Sequence, residues 1–216
     1  MTEFLIHGVP GSPYVRAPLL ALEEKGAPWR LAALAMGGNR TPEYRAIHPF
    51  AKIPTLDHGD FRLYETRAIL NYIDRLLPTP PLTPHDVRAA ARMDQVIGIV
   101  DSYVTPRVSS AVTFPLMVAP RFGMPIDRDA VAAAIVPAGE VIDELARLLG
   151  DQPFIAGSSL SLADLMLIPH LAFLPDFDEG AALLARHDRL RAWIERMKAR
   201  PSFAATEWEV LSAMAA

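Results

Sequence analysis

Three groups of residues in this chain have the types and spacing to do chemistry. The first is Ser12, which ends a Gly/Pro loop, Gly8 to Pro13, and stands just ahead of an amphipathic pattern from Tyr14 to Lys25. A helix N-terminus carries partial positive charge and N–H groups without an intrahelical partner. A serine hydroxyl there has two uses: it caps the helix, or it donates a hydrogen bond to an anion held at that end. A donor to a thiolate favours the charged form and lowers the thiol pKa, each unit being worth about 1.4 kcal/mol. The second group is His48 to Thr66, HPFAKIPTLDHGDFRLYET. An Ile53-Pro54 step feeds an apolar run, Asp57 to Asp60 form a polar turn, and Phe61 to Tyr64 alternate again, which is a β-hairpin pattern. Glu65-Thr66 close the second strand and open a helical pattern, Arg67 to Leu76. Such a stretch presents backbone polar groups and one carboxylate to a small, extended, charged ligand. The third group, Ser161-Leu162-Ala163-Asp164, has the form of a capping box, whose chemistry is structural.

The elements that must position these residues follow from punctuation and period. Glu3 to His7 is a short strand, Tyr14 to Lys25 a helix stopped by Gly26, and Trp29 to Ala35 a second strand parallel to the first through a right-handed crossover. Gly37 to Thr41 is a polar loop and Pro42 to Ile47 a helical turn, before the hairpin and its helix. The order is β-α-β-α-β-β-α, which is α/β in class. Four prolines in Pro78 to Pro84 exclude helix and inner strand. Everything beyond them reads as helical: His85 to Arg107 with a break at Pro106, a loop or kinked segment from Thr113 to Pro125, then Arg128 to Leu149, Ser161 to Leu174, Ala181 to Ala199 and a short helix from Pro201. Helix after helix with short joints is a bundle. The expected domains are therefore 1–77 (α/β), 78–84 (linker) and 85–216 (all-α).

Composition narrows the function. A chain of 216 residues with 51% hydrophobic and 21% charged residues can bury a sizeable core. A net charge of −4 with no basic patch argues against nucleic acid. The absence of cysteine excludes disulfides, a thiolate nucleophile of the protein's own and a thiolate-bound metal, and the His, Asp and Glu residues show no metal spacing. The first residues resemble neither a signal peptide nor a membrane span, and no apolar run reaches about 18 residues, so a soluble, cytoplasmic protein with no membrane partner is expected.

Three blocks carry a resemblance to a known family. They are GSPYVRAPLLALEEKG (Gly11 to Gly26), PEYRAIHPFAKIPTLDHGDFRLYETRAILNYI (Pro42 to Ile73) and SLSLADLML (Ser159 to Leu167). In this order and spacing the chain resembles the cytosolic glutathione transferases, best their serine-type, phi-like and bacterial members. The resemblance implies a thioredoxin-like N-terminal domain, an all-helical C-terminal domain that supplies the electrophile pocket, a homodimer, glutathione as co-substrate and no metal. It implies that Ser12 hydrogen-bonds the glutathione sulfur and that Pro54 is a cis-proline, with Ile53 offering its backbone to the cysteinyl part. Glu65 takes the γ-glutamyl ammonium. Thr66, where the family usually has serine, takes the γ-glutamyl carboxylate. Lys52, where phi-like members often have glutamine, pairs with the glycyl carboxylate, as do Asn39 and Arg40; for Lys52 and Arg40 the alternative is a solvated surface charge. Phe50 either enters the partner subunit or packs locally. Tyr14 is an alternative hydroxyl donor, while His7 and His48 read as local hydrogen-bonding residues. Val104, Val108 and Phe114 are expected to wall the electrophile pocket. The implied reaction is attack of the glutathione thiolate on an apolar electrophile. Alternatives on the same site are peroxide reduction, cis-trans isomerisation of a maleyl-type acid (with Arg107 and Arg121 as candidate binders) and non-catalytic binding.

Overall fold

The computed structural model describes residues 3–214 and divides into two compact units. The first is built on a four-stranded sheet in the order β2-β1-β3-β4. Strand β1 (Phe4–Gly8) pairs in parallel with β2 (Trp29–Ala33) and antiparallel with β3 (Thr55–His58), which forms the hairpin with β4 (Phe61–Tyr64). Both the parallel crossover and the hairpin are as the sequence predicts. Helix α1 (Pro13–Glu24) packs against α3 (Thr66–Leu76), and a single turn, α2 (Pro42–Arg45), precedes the hairpin. Phe4, Ile6, Leu19, Leu20, Leu56, Ile69, Leu70 and Ile73 make the core.

Two departures from the sequence reading concern the edges of this unit. The proline stretch is fixed onto it as far as Leu82. The buried Lys25 ammonium donates to Asp74 at 2.6 Å and to the Pro80 carbonyl, while the Leu82 N–H donates to the same Asp74 oxygen at 2.9 Å. The chain from Ala199 onward also belongs here, not to the helical unit expected over 85–216. Its helix α9 (Pro201–Ala205) is held to α1 by Arg200, which grips Glu24 through two bonds of 2.7 Å, and by the buried Phe203, and α10 (Trp208–Met214) packs on α9 and β2.

The second unit, Thr83–Lys198, is helical. Helix α4 (Val87–Ile99) runs on into a π-type segment, Val100–Val118, followed by a 3₁₀ turn, Ala119–Phe122. Pro106 therefore does not end the helix, and the segment from Thr113, expected as a loop or a kinked stretch, is helical to Val118. The wider i→i+5 winding explains the burial pattern, in which Val100, Val104, Val108 and Val112 recur every fourth residue. Helices α5 (Arg128–Leu149), α6 (Leu162–Leu171), α7 (Asp178–Leu184) and α8 (Asp188–Lys198) complete the unit. The single helix expected over Ala181 to Ala199 is thus two, and α6 is buried on every side.

Candidate functional site

Register brings the chemical residues together. His7 on β1 stands opposite Thr55 on β3, which stands opposite Tyr64 on β4. Ser12 follows β1, Ile53-Pro54 precedes β3 and Glu65-Thr66 follows β4, so all three motifs lie at one end of the sheet. Helices α1 and α3 both begin there, and a helix start carries partial positive charge.

Ser12 is the N-cap residue of α1, with φ −61° and ψ 127°. Its N–H donates to the Val9 carbonyl at 3.2 Å, and its own carbonyl accepts from Val15 (3.0 Å) and Arg16 (2.9 Å). Its side chain makes no capping hydrogen bond and is half-buried. Of the two uses open to this hydroxyl, capping is the one it does not take. The loop that carries it needs glycine: Gly11 has φ +81°, and a methyl built there would stand 2.5 Å from the Trp208 ring.

The Ile53-Pro54 bond is cis. The Asn39 amide donates to the Ala51 carbonyl at 2.6 Å, where Ala51 has φ +51°, so Asn39 holds the turn that leads into this step. Lys52 and Arg40 are exposed. Glu65, also exposed, has φ +73° and ψ 111° and makes no side-chain cap of its own. Thr66 is buried, and its hydroxyl donates to the Tyr14 carbonyl at a long 3.4 Å. That contact has a local cause: Pro18 lies inside α1 and has no N–H for the carbonyl four residues earlier, which is that of Tyr14.

Around these residues the titratable groups are locally engaged. His7 bonds Asp57 at 2.9 Å, and Arg62 grips Asp57 at 2.6 and 2.8 Å, which with His7 holds that carboxyl below its usual range. His48 is buried beside Tyr64, ring centroids 4.7 Å apart, and burial lowers its pKa. Phe50 is 68% exposed.

In the second unit, Val104 and Val108 are fully buried in the valine row and Phe114 is half-buried, so the two valines belong to the core. Arg107 pairs with Glu140 at 3.2 Å and lies over the Tyr103 ring, 5.5 Å from its centroid. Arg121 is exposed in the 3₁₀ turn. Among the described residues no group of three or more His, Asp or Glu is arranged to hold a metal ion, and no helix is long and apolar enough to cross a membrane. Trp208 and Arg16, which touch the Ser12 loop and α9, had no signal in the sequence, because their partners lie nearly two hundred residues away in the chain.

Comparison with known proteins gives the family. Residues 6–81 match the family model described as glutathione S-transferase, N-terminal domain, and residues 128–196 match glutathione S-transferase, C-terminal domain. The chain is 30% identical over 200 residues to glutathione S-transferase F10 of Arabidopsis thaliana, covering 90% of each. It is 30% identical over 210 residues to glutathione S-transferase 3 of Zea mays, covering 95% of this chain and 94% of the other. Among solved structures, poplar glutathione transferase F1 superposes with a TM-score of 0.84 at 26% identity over 99% of both chains. Glutathione S-transferase I from mais, in complex with an atrazine glutathione conjugate, gives 0.81 at 25% identity, covering 98% of this chain and 97% of that one. Both halves of one family model pair therefore match in order, with relatives spanning nearly the whole chain, and the protein belongs to the glutathione S-transferase family, beside its plant phi-class (F) members.

Proposed function

We propose that this protein grips extended glutathione at the Ser12–Pro54–Glu65 end of the sheet and that Ser12 donates to its sulfur, holding a thiolate that attacks an apolar electrophile. Glutathione conjugation itself is the family's reaction. The observation that carries the serine's part is its place at the start of α1 with no capping bond made by its side chain. A hydroxyl donor and the partial positive charge of the helix start both favour the thiolate over the thiol.

The remaining roles in this reading are divided along the peptide. The Ile53 backbone takes the cysteinyl part, Glu65 the γ-glutamyl ammonium, and Thr66 the γ-glutamyl carboxylate through its N–H and through its hydroxyl, which gives up its long contact to the Tyr14 carbonyl to do so. Lys52 and Arg40 take the glycyl carboxylate, while Asn39 acts through the turn at Ala51 that it holds. The protein works in the cytoplasm as a homodimer, and the exposure of Phe50 supports its use as an interface residue. No observation favours isomerisation, since Arg107 is engaged by Glu140 on the surface.

The test is retention on immobilised glutathione followed by conjugation of a chloronitrobenzene. Ser12→Ala is expected to keep glutathione binding and to lose about 100- to 1,000-fold in kcat, by analogy with removal of one preorganised donor. Full activity in that variant removes Ser12 from the mechanism, and no retention of the wild type removes the function.

A further inference from the structure

The loop that carries Ser12 is backed by a part of the chain that the reaction has not used. On one side of Gly11 the Trp208 ring lies so close that a β-carbon would meet it at 2.5 Å. At the loop's end the Ser12 N–H reaches the Val9 carbonyl over 3.2 Å, and Gly11 sits at φ +81°. Trp208 opens α10, which packs on α9 and β2, and α9 in turn is held against α1. At the far end Glu24 accepts from Arg200 and from the Ser202 hydroxyl. One turn below Ser12, the buried Arg16 guanidinium stacks on the Phe203 ring, 4.3 Å from its centroid, and its Nη2 reaches the Phe203 carbonyl at 3.5 Å. Thr206 then closes α9 by donating to the Ser202 carbonyl at 3.0 Å, and Leu211 is buried beyond it. Glu207 and Glu209 are the acidic groups that act on Arg16.

We propose that the C-terminal segment Pro201–Met214 is a brace for the catalytic loop, with Trp208 as a positioning residue that sets where the Ser12 hydroxyl stands. This rests on the reading of Ser12 as thiolate donor. The physical basis is the steep dependence of such a hydrogen bond on distance and angle: a displacement of about 1 Å at a reacting group can cost about 100-fold. A flat ring against a glycine fixes the loop's outer side without needing a polar partner there. Removing the ring leaves the turn with its Val9–Ser12 bond and a glycine free in φ.

The test is an ultraviolet titration of the thiolate of enzyme-bound glutathione, on the full chain as wild type, Trp208→Ala, Trp208→Phe and Ser12→Ala. It runs beside kcat and KM for chloronitrobenzene conjugation. In Trp208→Ala the bound thiol pKa is expected to rise by about one unit, a tenfold loss of ionisation. Its kcat falls about tenfold while KM for glutathione stays within about threefold, because the peptide-gripping residues are untouched. Trp208→Phe, which keeps a flat ring, recovers most of both. An unshifted thiol pKa in Trp208→Ala overturns the proposal, whatever happens to its melting temperature. If that variant does not fold, Trp208→Leu, with bulk but no plane, is titrated against Trp208→Phe, and equal pKa values in the two overturn it. A shift in Ser12→Ala with none in the Trp208 variants sinks the brace alone. No shift in Ser12→Ala sinks the serine's role and the brace's purpose with it.

Discussion

Glu65 occupies a backbone conformation, φ +73° and ψ 111°, that residues with a β-carbon avoid. Such a residue costs about 1–3 kcal/mol and persists where the surroundings over-determine it. Here the cost falls on the carboxylate proposed to meet the ligand's ammonium. Glu65→Gly is therefore expected to raise ligand-free stability by about 1 kcal/mol and to weaken glutathione binding at least about tenfold. Thermal denaturation without ligand and calorimetric titration with glutathione check the two halves, and a ligand-free variant less stable than wild type removes the strain argument. The sequence placed Ser12, Pro54, Glu65 and Thr66 at the joints between elements, because proline, glycine and hydroxyl residues punctuate there. It left open whether Ser12 caps, since that depends on where the side chain turns. It also left the Thr66–Tyr14 contact unseen, although its cause, Pro18, was in plain view.

Elements were legible wherever a hydrogen-bond pattern and a hydrophobic period agreed. The parallel pairing of β1 and β2, the hairpin and α5 were readable for that reason, while the pairing of β3 with β1 was not read. The segment Val100–Val118 was not, because a proline removes one hydrogen bond and bends a helix without obliging it to stop, and Pro106 and Pro115 lie inside this more widely wound one as Pro18 lies inside α1. The capping box of α6 was legible only in part. Ser161 donates to Asp164 from its N–H at 3.0 Å and its hydroxyl at 2.7 Å, but the carboxylate also takes the Ile155 N–H at 2.8 Å and the Trp193 indole at 3.0 Å. These last two partners come from outside the motif, and they make Asp164 the tie between α6, α8 and the turn before them. Burial pushes its carboxyl up, and the four donors oppose that. Asp164→Ala leaves four buried donors without an acceptor and should cost at least about 3 kcal/mol in denaturant unfolding of the second unit. A cost under about 1 kcal/mol would mean that the cap is ornamental.

At the scale of the molecule, acid sensitivity and chain order follow from the same burial. His170 lies inside α6, its Nδ1 2.8 Å from the Ser109 hydroxyl, and burial lowers its pKa from 6.5 to about 3. Its folded pKa lies below its unfolded one, so the stability it allows is complete above pH 6.5 and is lost as pH falls towards 3. In that window the unfolded chain binds a proton that the folded chain refuses. His170→Gln is expected to make stability less dependent on pH there, read as a shallower fall of the urea midpoint; His48, also lowered by burial, leaves a remainder of the same sign. A slope as steep as the wild type's would clear His170. The prolines mark where the chain leaves the first unit after Leu82, whereas the return of the last helices to α1 carries no mark in the sequence, because Arg200 and Glu24 are 176 residues apart. That return makes the helical unit an insertion in the first unit's chain, entering after Leu82 and leaving before Ala199. Exchanging helical units between relatives by recombination therefore takes two crossovers. A single one at the prolines would hand the native Gly11 loop, Arg16 and Glu24 a stranger's tail.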